Sequence, residues 1–192
     1  MDLKLPQTTQ KRIVIIGGGF AGMNVALKLK NSNFQIVLLD KHNYHTFQPL
    51  LYQVATGGLE PTSIAYPLRK LIKNQPNVYF RLAIVEQIST DKKVVITDIG
   101  ELNYDVLVIA IGTTTNFFNL PEESTSKMKT LKSIPQALDL RSYILENFEN
   151  ALLEEDLDAK KALMNISIVG GGPTGVELAG AIAEMKSHML PG

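Results

Sequence analysis

Cysteine is absent from all 192 residues, which excludes disulfides, thiolate metal centres and dithiol redox chemistry within this stretch. An excess of charge is missing too. Lysine and arginine number 19 and aspartate and glutamate also 19, so no net field draws the chain to nucleic acid or to an anionic membrane surface. No apolar run approaches the ~20 residues that a membrane-spanning helix requires, and the opening segment from Met1 to Lys11 is polar. These absences predict a cytoplasmic location. What the chain does have is a hydrophobic fraction of 45%, enough for one sizeable core, or for one full domain and part of another.

The first strong pattern is Arg12-Ile13-Val14-Ile15-Ile16, a β-branched run that ends on three glycines and leads into an amphipathic stretch from Phe20 to about Lys30. A second buried-strand pattern, Gln35 to Leu39, ends on Asp40. Together these predict a complete strand, helix, strand unit with parallel pairing. The segment from His42 to Gly58 is an aromatic-rich loop containing proline, and Ser63 to Lys73 reads as a returning helix. Short strands are expected at Val78–Phe80, Leu82–Ile88 and Lys93–Thr97, a meander departing from the main sheet, and Asp105–Ile111 reads as one more buried parallel strand closed by Gly112. Thr113 to Lys132 is rich in Thr, Ser, Asn and Pro, and the domain boundary is placed there. A long helix is predicted from Pro135 to about Leu153.

Gly17-Gly18-Gly19-Phe20-Ala21-Gly22 matches G-x-G-x-x-G between a predicted strand and a predicted helix. In this pattern Gly17 permits the tight turn, Gly19 lets the backbone approach a pyrophosphate, and Gly22 lets helix and strand pack closely, while the helix start offers N–H donors and a positive dipole end. An acidic residue about 20 positions on should meet ribose hydroxyls. Asp40 stands there, with a solvated strand-end acid as its bland alternative. The pattern recurs. Asn165 to Val169 opens a second strand, glycine, helix unit, and Gly170-Gly171-Gly172-Pro173-Thr174-Gly175 repeats the motif ahead of a small-residue helix through Glu184. Two such turns imply two dinucleotides. A lone strand and helix cannot close a sheet, so the second unit is expected to belong to a longer protein.

These residues carry a resemblance. Gly17–Gly22, the block Phe47-Gln48-Pro49-Leu50-Leu51-Tyr52-Gln53-Val54-Ala55-Thr56-Gly57-Gly58-Leu59, the strand end Ile109–Gly112 and the segment Gly170–Glu184 resemble the type II NADH:quinone oxidoreductases of the two-dinucleotide flavoprotein superfamily over nearly the whole chain. The resemblance implies an α/β fold: a Rossmann-like FAD-binding domain over residues 1–115, its parallel sheet carrying an inserted β-meander, then a linker and the start of a Rossmann-like NAD(P)-binding domain over 116–192. FAD and NAD(H) are the implied cofactors, with hydride passing from nicotinamide C4 to flavin N5 and electrons passing to a quinone. Matched position by position, Gly17, Gly19, Phe20, Ala21 and Gly22 would hold the FAD pyrophosphate, and Asp40 the ribose, with Lys41 adjacent. Gln48 and Pro49 would lie along the flavin, Val85 would meet the adenine, and Ala110 and Gly112 would return to the FAD. Gly170, Gly172, Thr174 and Gly175 would hold NADH. Glu177 would stand near the nicotinamide–flavin junction as the catalytic residue, or be an ordinary acid favoured by the helix N-terminus.

The absence of a cysteine pair after the first helix excludes the disulfide reductase branch. Quinone chemistry and membrane attachment are expected only of a longer parent protein, peripheral on the cytoplasmic face of the inner membrane, and apolar surface left for missing segments favours a homodimer. His42 and His45 flank Tyr44 without a third metal-ligating neighbour, so a loop role beside the cofactor is expected, and no metal site. Two alternatives stay open: a flavin-binding module without catalysis, and another flavoprotein reductase of the same architecture, ferredoxin reductase-like, which would share every glycine named.

Overall fold

In a computed structural model, residues 3–189 are described, and their packing divides them into two compact units, Met1–Thr46 with Ala65–Thr113, and Phe47–Ile64 with Thr114–Gly192. In the first unit the β-branched run forms strand β1 (Lys11–Ile16), followed by helix α1 (Phe20–Lys28) and strand β2 (Phe34–Asp40). β1 and β2 pair in parallel, Ile13 opposite Ile36 and Ile15 opposite Leu38. Strands β5 (Val78–Leu82) and β9 (Val106–Ile109) complete a four-stranded sheet in the order β5-β2-β1-β9, every pair in it parallel.

Because side chains alternate along a strand, the sheet presents two apolar faces, and each is covered. Ile13, Ile15, Ile36, Leu38 and Phe80 pack with Met23 and Ala26 of α1 and with Leu68 and Ile72. Val14, Ile16, Val37 and Leu39 pack on the other face with Val95 and Leu102. Burial on both faces explains why these strands read as continuous apolar runs. The second cover is an antiparallel meander of β6 (Val85–Ser89), β7 (Val94–Thr97) and β8 (Gly100–Asn103). The expected meander is therefore present in part: the segment starting at Val78 joins the main sheet, because its alternate residues Val78 and Phe80 complete the α1-side core.

The residues after Asp40 hold more structure than a loop. Strand β3 (Tyr44–Thr46) pairs antiparallel with β4 (Ala65–Pro67), setting His45 opposite Tyr66. The helix expected from Ser63 to Lys73 is reduced to α3 (Leu68–Leu71), because Pro67 has no N–H for a helical ladder and its strand is already paired. At the N-terminus, the Arg81 guanidinium donates to the carbonyls of Leu3 and Lys4, each at 2.6 Å. Burial lowers the pKa of this guanidinium, and the neighbouring Arg69 charge adds to the effect.

The second unit is helical. A short 3-10 turn at Gln48–Leu50 leads into α2 (Leu51–Ala55), and α4 (Glu122–Thr125), α5 (Ile134–Leu153), α6 (Leu157–Met164) and α7 (Pro173–Met189) follow. Helix α2 packs against α5 and α7. Ser133 caps α5 by accepting from the Gln136 N–H, while the Gln136 side-chain oxygen accepts from the N–H of Lys132 at 2.8 Å. These reciprocal bonds satisfy free donors at the helix start. Asp156 caps α6 by accepting from the N–H groups of Asp158 and Ala159, without a returning bond. One expectation fails here. Residues 165–169 form no strand, although Asn165 has extended dihedrals, because a strand needs a hydrogen-bonded neighbour and no described residue of this unit lies in one.

Candidate functional site

The end of β1 turns back sharply at Gly17, whose φ of +106° only glycine adopts readily. Its N–H donates to the Leu39 carbonyl at 2.8 Å. A Cβ built on Gly17 would overlap the carbonyl oxygen of Ala110, and one on Gly22 would overlap the carbonyl oxygen of Gly17. Gly19 differs: nothing lies within 4 Å of a Cβ placed there. The glycines at 17 and 22 are thus demanded by the protein's own backbone, and the glycine at 19 keeps an open approach to the first turn of α1. A helix start presents backbone N–H groups and a positive dipole end, which suits this approach to an anion.

Gly18, one of the variable positions of the motif, is fully enclosed. A Cβ there would lie 2.8 Å from Leu68 Cδ1 and 3.2 Å from Asp40 Oδ2. Its N–H donates to Asp40 Oδ2 at 2.5 Å, and the other carboxylate oxygen accepts from the His42 N–H at 2.7 Å. Asp40 therefore stands at the turn as its spacing predicts, holding the backbone with one lone pair on each oxygen and keeping others for a further donor. Gly18 carries no signal in the motif spacing, and His45, expected in a loop beside the cofactor, lies in β3 with its Nδ1 3.0 Å from the Gly18 carbonyl oxygen. His42 instead stacks at a tilt on Tyr44, 5.4 Å between ring centres.

Of the other residues named from sequence, Phe20 and Ala21 are exposed on the first turn of α1 and Lys41 is exposed beyond β2. Ala110 sits against the turn, with its N–H donating to the Ile16 carbonyl at 2.8 Å. Gly112 follows with a φ of +72° and open space around it. Val85 opens β6 and packs against the meander-side core.

The second unit repeats the turn. Gly170 has φ +120°, a Cβ on Gly175 would overlap the Gly170 carbonyl oxygen, and Gly171 and Gly172 face open space. Helix α7 begins directly after, with the Val176 N–H donating to the Gly172 carbonyl at 3.1 Å. Thr174 and Glu177 are exposed. Gln48 and Pro49 lie in the 3-10 turn that leads into α2. Between α2 and α7 runs a groove of about 520 Å³, lined by Tyr52, Gln53, Thr56 and Gly58 on one side and by Glu177, Gly180, Ala181, Glu184 and Met185 on the other. The small residues Gly180 and Ala181 lie one helical turn beyond Glu177 on the same face. Among the described residues no group of His, Asp or Glu could hold a metal ion, and no helix is long and apolar enough to cross a membrane.

Comparison with known proteins places this geometry. The chain is 40% identical over 185 residues to a type II NADH:quinone oxidoreductase of Mycobacterium tuberculosis, a match covering 94% of this chain and 40% of the relative. It is 30% identical to an external alternative NADH-ubiquinone oxidoreductase of Yarrowia lipolytica mitochondria, covering 92% of this chain and 32% of that protein. Among solved structures, that of NDH2 from Plasmodium falciparum in complex with NADH superimposes with a TM-score of 0.85 at 28% identity, covering 94% of this chain and 38% of the other. The chain thus spans less than half the length of each of these proteins. The model of the pyridine nucleotide-disulphide oxidoreductases matches residues 11–190, both glycine turns included, and the chain belongs to that family.

Proposed function

We propose that the chain is the dinucleotide-binding part of an FAD-dependent oxidoreductase that takes hydride from NADH and, in its complete form, delivers electrons to a quinone. The observation that carries this reading is the contrast within the first turn. Backbone atoms forbid side chains at Gly17 and Gly22, whereas the space beside position 19 is left open by the protein and suits an external ligand. A pyrophosphate approaching Gly19 would meet the N–H groups and the positive dipole end at the start of α1, and Asp40 would accept from a ribose hydroxyl with its remaining lone pairs. Phe20, Ala21 and Lys41 border the same approach, and Val85, Ala110 and Gly112 are assigned to the remaining length of the FAD.

In the second unit Gly170, Gly172, Thr174 and Gly175 would bind NADH by the same logic, with Glu177 beside the nicotinamide and Gln48 and Pro49 beside the flavin. The flavin, when bound, supplies the hydride acceptor. The chain's own work is then to bind the two dinucleotides, which replaces a bimolecular encounter in solution by a transfer between bound partners. A homodimer, a cytoplasmic location and peripheral membrane contact through segments outside this sequence belong to the same proposal, as does the division into an FAD-binding part up to residue 115 and a nicotinamide-binding part after it.

The test is a titration of the purified chain with FAD, in which a stoichiometric yellow complex is expected, followed by anaerobic addition of NADH, which should bleach the flavin band. A folded chain that takes up no FAD refutes the proposal. FAD uptake without bleaching reduces it to the rival reading, a flavin-binding module without nicotinamide chemistry.

A further inference from the structure

The peptide groups on either side of Gly18 are held by side chains from two separate strands. The N–H of Gly18 belongs to the Gly17–Gly18 peptide and donates to Asp40 Oδ2. Its carbonyl belongs to the Gly18–Gly19 peptide and meets His45 Nδ1 at 3.0 Å. A carbonyl oxygen only accepts, so Nδ1 must carry the proton. The ring is placed by more than this one bond: His45 lies within the β3–β4 pairing opposite Tyr66, and it stands edge-on to Phe20, 5.0 Å between centres at 89°.

We propose that His45 is a positioning residue for the bound dinucleotide, holding the Gly18 carbonyl so that the N–H of Gly19 stays aimed at the incoming phosphate. In a planar trans peptide the C=O and N–H point in opposite directions, so fixing the Gly18 carbonyl fixes the Gly19 N–H. This peptide needs such a hold, as the Gly17–Gly18 peptide needs the one from Asp40. It lies between two glycines, whose backbones rotate over a wide range at little steric cost, and a flip would present a carbonyl oxygen to the anion in place of an N–H. The clamp from His45 removes that freedom before the ligand arrives, which lowers the ordering cost of binding. Phe20, the first residue of α1, buttresses the same ring, which links the helix start to the clamp.

The proposal rests on the reading of the first turn as an FAD site, and its test separates the two. FAD is titrated into the wild-type chain and into His45→Ala, His45→Asn and His45→Gln, each checked for a cooperative thermal melt. Asparagine sets an N–H at the δ position, where Nδ1–H lies, whereas glutamine sets it one atom further out. His45→Ala and His45→Gln should raise the FAD dissociation constant about tenfold, and His45→Asn should stay within about threefold of wild type, the scale of one neutral hydrogen bond. Nitrogen-15 NMR of the wild-type imidazole should report a protonated Nδ1. A folded His45→Ala that binds FAD as wild type does, an asparagine variant no better than the glutamine one, or an unprotonated Nδ1 would each overturn the clamp. Should His45→Ala fail to fold, the asparagine and glutamine comparison and the wild-type NMR still decide. Failure of the wild-type chain to bind FAD would instead overturn the flavin reading, and the ligand role of His45 with it.

Discussion

Alanine at Gly19 should separate ligand binding from folding. Gly19 has φ −73° and ψ −167°, dihedrals open to any residue, and an added Cβ meets nothing within 4 Å. Losing a glycine from the unfolded chain stabilises by about 0.4–1 kcal/mol, and alanine is a poorer helix N-cap than glycine by a similar amount. The two effects nearly cancel, so the melting temperature of Gly19→Ala should lie within about 3 °C of wild type. Binding should respond differently. The methyl group would stand where the pyrophosphate approaches, and displacing it from two amide donors forfeits charge-assisted hydrogen bonds of about 1.5–3 kcal/mol each. A rise in the FAD dissociation constant of at least about a hundredfold follows. Gly22→Ala is the contrasting variant: its Cβ would overlap the Gly17 carbonyl oxygen, a backbone clash that no rotamer relieves, so stability should fall by about 3 kcal/mol or more and binding with it. Calorimetric melts and flavin fluorescence titrations on the two variants provide the comparison. A Gly19→Ala chain with unchanged FAD affinity would refute the assignment of the open face to the ligand, and one that unfolds would refute the claim that nothing in the protein occupies that face.

Three further variants probe the surroundings. Asp40→Asn should destabilise the chain by about 1.5–3 kcal/mol, since an amide nitrogen would face one of the two backbone donors that the carboxylate accepts. The midpoint of guanidinium unfolding measures this, and an unchanged midpoint would mean that the two bonds contribute nothing net. Arg81→Met should release the N-terminal segment by removing the donors to Leu3 and Lys4. Limited proteolysis read by mass spectrometry should then cut ahead of Lys11 sooner than in wild type, while FAD affinity stays the same. Glu177→Gln should leave FAD uptake within about twofold of wild type and slow flavin bleaching by NADH about tenfold, equivalent to ~1.4 kcal/mol of barrier. Equal bleaching rates would return Glu177 to the status of an ordinary first-turn acid on α7.

How much was legible in the sequence divides along physical lines. The strand, turn, helix order of the first glycine motif, the turn and helix of the second, the parallel sheet and the position of Asp40 rest on short spacings and on the alternation of apolar residues, which depend on local chain geometry alone. Other features depend on neighbours that are distant in the chain. Residues 165–169 have the composition of a strand yet stay unpaired, because a β-ladder is a property of two segments. The stretch from Ser63 to Lys73 has helical periodicity, but pairing between His45 and Tyr66 draws its first part into a strand. Gly18 occupies a position the motif leaves variable, and only the arrival of Leu68 beneath it and of Asp40 and His45 on either side of its peptides makes it special. The sequence by itself determined the tight glycine turn ahead of α1, since a turn at a helix start is a local object. The tertiary structure alone placed the His45 ring against the Gly18 carbonyl, because no periodicity or spacing encodes a contact between segments that meet only when the sheets have formed.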